Sequence, residues 1–121
     1  MPFVLAVSGV PRGTESFAIV MDDPDAPGGR FTHWLACDLP NEGHVLRPDS
    51  GRALANDFGR PGYGGPCPPP SHGAHRYQVT VYAVDVAALV LRGHTRAALE
   101  GALRGHTLAT ATLTGRYERR R

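Results

Sequence analysis

A chain of 121 residues, 41% of them apolar, is long enough to bury a core without disulfides or a metal. Its net charge is only +2, every basic residue is arginine, and the one basic run is Arg119–Arg121. A solvated tail accounts for that run, and no basic or aromatic stripe supports a nucleic-acid surface. Glycine (15) and proline (11) are abundant but not periodic, which excludes a collagen-like chain and points to turns between short strands.

The first apolar run is FVLAV, 3–7, broken by the turn residues Ser8 to Gly13. FAIVMD, 17–22, reads as a buried strand ending on carboxylates. The segment DPDAPGG, 23–29, cannot continue a strand or a helix. FTHWLACD, 31–38, is a second β-prone run. Residues 41–74 read as a long loop, which is uncommon in a compact domain unless the loop has a function. Leu46, Leu54 and Phe58 are its apolar pins.

RYQVTVYAVD, 76–85, is the longest strand candidate. Tyr77, Val79, Val81 and Ala83 alternate there with Gln78, Thr80, Tyr82 and Val84. Residues 94–105 form the one convincing helix, with Thr95 as N-cap, an Ala98–Leu99–Ala102–Leu103 stripe and Gly105 in the left-handed position after it. TLATATLTGRY, 107–117, closes the chain as a strand expected to have one solvated face. There is no repeat or linker, so residues 1–121 read as a single domain. The expected fold is mostly β, a β-sandwich of antiparallel sheets with a short peripheral helix.

Cys37 and Cys67 form no CxxC and read as reduced thiols of a cytoplasmic protein. No signal peptide is visible, and no apolar run reaches the roughly 18–20 residues of a transmembrane helix.

The candidate chemistry begins with Asp22, Asp23 and Asp25 at a strand end. Acids this close must be turned apart or paired. Pro24 and Pro27 make the turn rigid, a good way to hold a carboxylate against a histidine. An ordinary Asp-Pro turn with solvated acids fits the spacing equally well. His33 lies in a strand-like run, where alternation sets it opposite Trp34. It can equally be a satisfied core residue. His75 opens the long strand after the proline-rich loop, where sites are often built. His44, His72, His94 and His106 read as surface residues.

Asp23, His33 and His75 could form a two-histidine, one-carboxylate metal set, but their spacing matches no short metal motif. There is no GxSxG motif, and a P-loop is excluded because the chain has no lysine. Cys67, in GGPCPPP, could be activated by a histidine, although a thiol between prolines is more often structural. Gly62, Gly64 and Gly65 could bring backbone N–H groups to an anion.

Taken together, DPDAP at 23–27, HW at 33–34, GYGGPCPPP at 62–70 and HRY at 75–77 followed by QVTVYAVD resemble the phosphatidylethanolamine-binding protein family. The bacterial, Raf-kinase-inhibitor-like branch is the nearer match, and the similarity runs from Leu5 through Tyr117. The resemblance implies a two-sheet β-sandwich with a small anion pocket at one end. It implies ligand contacts from Asp23, His33, His75 and Tyr77, and backbone groups from Gly65 and Cys67. The candidate ligand-binding set is thus Asp23, Asp25, His33, Gly65, Cys67, Pro68, His75 and Tyr77. The resemblance also makes Ala26-Pro27 a candidate cis bond.

Two departures stand out. Family members usually carry a further segment before the strand matching FVLAV, whereas this sequence starts almost at that strand, so either the chain is a shortened form or its start was assigned late. The shortfall should expose a sheet edge or a core face and makes a homodimer a reasonable expectation. The C-terminal helix and tyrosine of eukaryotic relatives are missing too, so the pocket should be more open.

Carboxylates favour protonated imidazoles, and a protonated imidazole donates from both nitrogens to a phosphate-like group. Binding should therefore tighten below about pH 6.5, the ordinary histidine midpoint. The sequence points to a non-enzymatic binding protein for a small anionic ligand, phosphate or a phosphorylated head group. It expects no metal or other cofactor, and modulation of a protein partner, kinase- or protease-inhibitor-like, as a further role. The alternatives are a weak hydrolase or metal-dependent enzyme using the same histidines, and an inhibitor that makes contact through its proline-rich loop.

Overall fold

The computed structural model describes residues 5–23, 31–43, 45–47, 50–54 and 75–117, with the backbone alone at 31, 75–77 and 113–117. The described strands are β1 (Leu5–Ala6), β2 (Ser16–Asp23), β3 (Phe31–Pro40), β4 (Val45–Leu46), β5 (Arg52–Ala53), β6 (His75–Val84) and β7 (Thr107–Tyr117), with helix α1 (Arg96–Leu103) before β7. They form a five-stranded sheet in the order β5-β3-β2-β6-β7 and a two-stranded ribbon β1-β4. All the pairings are antiparallel. The fold is mostly β, as the sequence predicts.

Strand β2 sits in the middle, and all eight of its residues are buried. Its sequence shows no apolar–polar alternation because both faces of the sheet are covered. On one face Phe17, Ile19 and Met21 pack with Trp34, Ala36, Leu39, Leu46 and Ala83, and Leu5, Val7 and Val10 lean on that cluster. On the other face Ala18 and Val20 pack with Leu35, Cys37, Leu54, Val84, Leu89, Leu99 and Leu103. The ribbon side and helix α1 thus cover opposite faces of one sheet. The β6 alternation is as expected: Val79, Val81 and Ala83 join the first cluster, Tyr82 and Val84 the second.

Helix α1 has the expected ends. The Thr95 side chain accepts from the Ala98 N–H, Leu99 and Leu103 are buried, and Gly105 has φ +77°. Two short strands, β4 and β5, lie within the stretch read from sequence as loop. Each is two residues long and exists through its partner strand, β1 or β3. Leu46 and Leu54 are fully buried pins, and Phe58 lies outside the described residues. Strand β7 departs from expectation. Its residues 107–112 are all exposed, Ala109 and Ala111 included. These two alanines line an open apolar cleft of about 330 Å³ with Leu5, Val7, Phe17 and Val81.

A second irregularity organises the far side of β3. Phe17 pairs with Leu39 but Ile19 with Ala36, so Cys37 and Asp38 together face the single residue Ala18. Asp38 takes φ +61° there, in the left-handed region that Asp tolerates better than most residues. Its carboxylate accepts from the Leu89 N–H at 2.8 Å and pairs with Arg52 at 2.8 Å. Arg52 also donates to the Leu89 carbonyl at 2.7 Å, closing the ring. Gly51 runs directly beneath this bulge. A Cβ there would collide with the Cys37 carbonyl oxygen and lie 3.0 Å from the Asp38 carbonyl carbon and the Leu39 nitrogen. Gly51→Ala is therefore expected to cost about 1–3 kcal/mol, read as a lower urea midpoint with an unchanged slope.

Cys37 is fully buried and free. Burial, with Asp38 beside it, pushes its thiol up from 9.0 to about 11. A thiol held neutral in the fold favours the folded state. That contribution is complete below about pH 9 and is lost as the pH rises through about 11. In a Cys67→Ser background, Cys37 should react with a thiol reagent near neutral pH no faster than the protein opens. Rapid labelling of the native protein would contradict this assignment.

Candidate functional site

Asp23 ends β2, and β3 and β6 begin beside it. Because both neighbours run antiparallel to β2, their starts fall at its C-terminal end. The ladder pairs Asp23 with Phe31 on one side, and on the other its last rungs are Met21 with Val79 and Asp22 with Gln78. The next step brings Asp23 level with position 77, and position 75 lies two residues further, about 7 Å at the usual strand rise. Asp23, His33 and His75 are thus carried to one end of three adjacent strands. These backbones span about 10 Å at the usual strand spacing. By alternation, positions 75 and 77 belong to the same face as Asp23, the face of Met21 and Val79.

His33 owes its place to a bulge. Met21 pairs with Trp34 and the next residue, Asp22, with Thr32, so His33 is the extra residue between them. Thr32 and Leu35 consequently lie on the same side, although they are three apart. The strict alternation that set His33 opposite Trp34 does not hold here. A bulge of this kind re-aims side chains and recurs next to binding sites. Asp23 and His33 are both buried, 3% and 4% exposed. Burying two such polar groups is costly unless they are satisfied, and both have interaction partners.

Within the acid cluster, Asp22 is paired. Asp22 points to the helix face, where the Arg96 guanidinium donates to its Oδ1. The same Arg96 nitrogen lies 3.0 Å from the Thr32 hydroxyl, which donates to Asp22 Oδ1 at 3.1 Å. Arg96 Nε also meets Glu100 at 3.3 Å. Burial works against the Arg96 charge, but Asp22 and then Glu100 outweigh it and raise its pKa above the ordinary guanidinium value. Sequence reasoning took α1 as a packing helix and missed this residue. Two signals were present. Arg96 stands at i, i+3 and i+7 with the buried Leu99 and Leu103. A cation in the first turn also opposes the helix dipole, so it needs a partner.

Of the other candidates, Tyr77 and His75 are placed by backbone alone. Asp25, Gly65, Cys67 and Pro68, with the Ala26-Pro27 bond, lie outside the described residues, as do His44 and His72. His94 is exposed, and His106 pairs with Asp85 at 2.8 Å on half-exposed side chains. The open apolar cleft is elsewhere. It reaches Phe17 and Ala83, six residues along β2 from Asp23, and is separate from the polar strand ends. Among the described residues no three His, Cys, Asp or Glu side chains could hold a metal ion, and no helix is long and apolar enough to cross a membrane.

The family model described as phosphatidylethanolamine-binding protein matches residues 1–118. A UPF0098 protein of Aquifex aeolicus is 48% identical over 91% of this chain and 70% of its own length. The crystal structure of Escherichia coli YbcL, described as a member of the mammalian family, superposes with a TM-score of 0.82 at 34% identity, over 97% of this chain and 79% of that one. A phosphatidylethanolamine-binding protein homologue from Chlamydia trachomatis gives 0.84 at 35% identity, covering 96% and 80%. The match of family model, sequence and fold leads to one assignment: the chain belongs to the phosphatidylethanolamine-binding protein family.

Proposed function

We propose that residues 1–121 act as a single binding domain for a small anionic group, inorganic phosphate or the phosphate of a head group. The observation that carries this reading is the convergence of Asp23, the bulged His33 and His75 at one end of β2, β3 and β6. A protonated imidazole is a charge-assisted donor to phosphate oxygens. In this reading Asp23 orients the donors, and the burial of Asp23 and His33 strengthens their hydrogen bonds. In this reading Tyr77 adds a hydroxyl, and Asp25, Gly65, Cys67 and Pro68 supply the loop wall. The name of the family, taken from a phospholipid whose head group carries a phosphate, supports the same ligand class.

The test is a calorimetric titration of the purified chain with inorganic phosphate, run beside a turnover screen on phosphate esters. The expected result is saturable binding with a Kd on the order of 1 mM or tighter and no turnover. Turnover that disappears in both His33→Ala and His75→Ala would replace the binding role with an enzymatic one. Absence of any saturable binding would overturn the reading.

A further inference from the structure

We infer that Arg96, on a helix remote in sequence from the site, is a positioning residue that holds closed the bulge carrying His33. The inference rests on the anion-site reading and deepens it. The bulge exists because Asp22 and Thr32 pair across β2 and β3 one rung beyond Met21 and Trp34. Arg96 touches both members of that closing pair, donating to Asp22 Oδ1 and lying 3.0 Å from Thr32 Oγ1. Asp22 and Thr32 precede, on their own strands, Asp23 and His33. A guanidinium binding both therefore fixes the two site residues relative to each other, through one bonded step on each strand.

Arg96 is itself held from behind. Leu99 and Leu103 anchor its helix in the second core cluster, and Glu100 meets Nε. The helix thus reports its docking directly to the polar strand end.

Charge gives Arg96 a second effect. Asp22 adjoins Asp23, and without its partner the Asp22 carboxylate would repel an approaching anion. The Asp22 side chain is only 9% exposed, so solvent screens it poorly, and Arg96 is its neutralising partner. The guanidinium therefore both closes the bulge and removes one negative charge from the neighbourhood of the ligand.

The experiment compares the wild-type chain with Arg96→Lys, Arg96→Gln and Asp38→Asn. Phosphate affinity is read by titration, the His33 ring signal by NMR at one pH, and the thermal midpoint for each. Arg96→Gln is expected to weaken phosphate binding roughly tenfold and to shift or broaden the His33 ring signal. Arg96→Lys, which keeps the charge but not the fork, should recover part of both. Asp38→Asn loosens a different part of the sheet. It should lower the midpoint while leaving affinity and the His33 signal in place, which separates positioning from stability. Should Arg96→Gln fail to fold, Asp22→Asn, which leaves the guanidinium an acceptor, should show a smaller change in the same direction.

Unchanged affinity and an unchanged His33 signal in Arg96→Gln would overturn the inference. Equal changes in Asp38→Asn would also overturn it. If wild-type protein bound no phosphate, the anion reading would fall, and the His33 signal would still decide whether Arg96 positions the bulge.

Discussion

Replacing His33 by alanine is expected to weaken phosphate binding roughly tenfold to a hundredfold. The substitution removes one charge-assisted donor, a contact worth about 1.5–3 kcal/mol, and each 1.4 kcal/mol is tenfold in affinity. His33 is buried, so its loss also touches packing and the bulge. His33→Gln separates the two effects. It fills most of the space and retains a neutral donor, so the fold should survive with weakened binding. Phosphate titration of the three proteins, with thermal midpoints for each, checks the prediction. Wild-type affinity in both folded variants would remove His33 from the site.

Asp38→Ala should give the largest loss of stability among the polar substitutions, about 2–4 kcal/mol. Three contributions coincide at this residue. The Leu89 N–H loses its acceptor beside a side chain that is only 4% exposed, at about 1–3 kcal/mol. Arg52 loses its carboxylate partner, a half-exposed contact worth less. A φ of +61° suits alanine less well than aspartate. Asp38→Asn keeps the Leu89 contact and the tolerance for that backbone, and should cost about 1 kcal/mol. Urea unfolding of the three proteins gives the order wild type, Asn, Ala. Equal midpoints for wild type and Ala would show that the ring at Asp38, Arg52 and Leu89 contributes nothing.

What the sequence showed and what it hid follow a physical division. Strands β2, β3, β6 and β7 and helix α1 are written in local patterns: an apolar run, an alternation, an N-cap threonine, a glycine at the left-handed end. Each was legible within a few residues. Strands β4 and β5 were not, because two residues have no pattern of their own and owe their state to Leu5, Ala6, Ala36 and Cys37. The exposure of Ala109 and Ala111 was hidden for a related reason, since alternation tells which residues share a face but not whether that face is covered.

The candidate site divides in the same way. Asp23 at a strand end and His75 at a strand start could be read from composition and breaks. Their arrival at the same end of the sheet could not, since it depends on β3 and β6 both lying beside β2. The bulge at His33 is a property of the register between two strands and leaves no mark in FTHW. Arg96 carried a readable anomaly, a cation in the first turn on the buried stripe, but its partner Asp22 is 74 residues away. The motif order DPDAP, HW, HRY supplied through resemblance the proximity that local patterns could not.

The measurement that bears most directly on the central claim is the backbone amide NMR spectrum of the chain titrated with inorganic phosphate. Binding at the proposed site should move amides at the end of β2 and the starts of β3 and β6, around Asp23, His33 and His75, with one common saturation curve. Shifts confined to the cleft at Phe17 and Ala83, or none that saturate, would contradict a phosphate site at that end of the sheet.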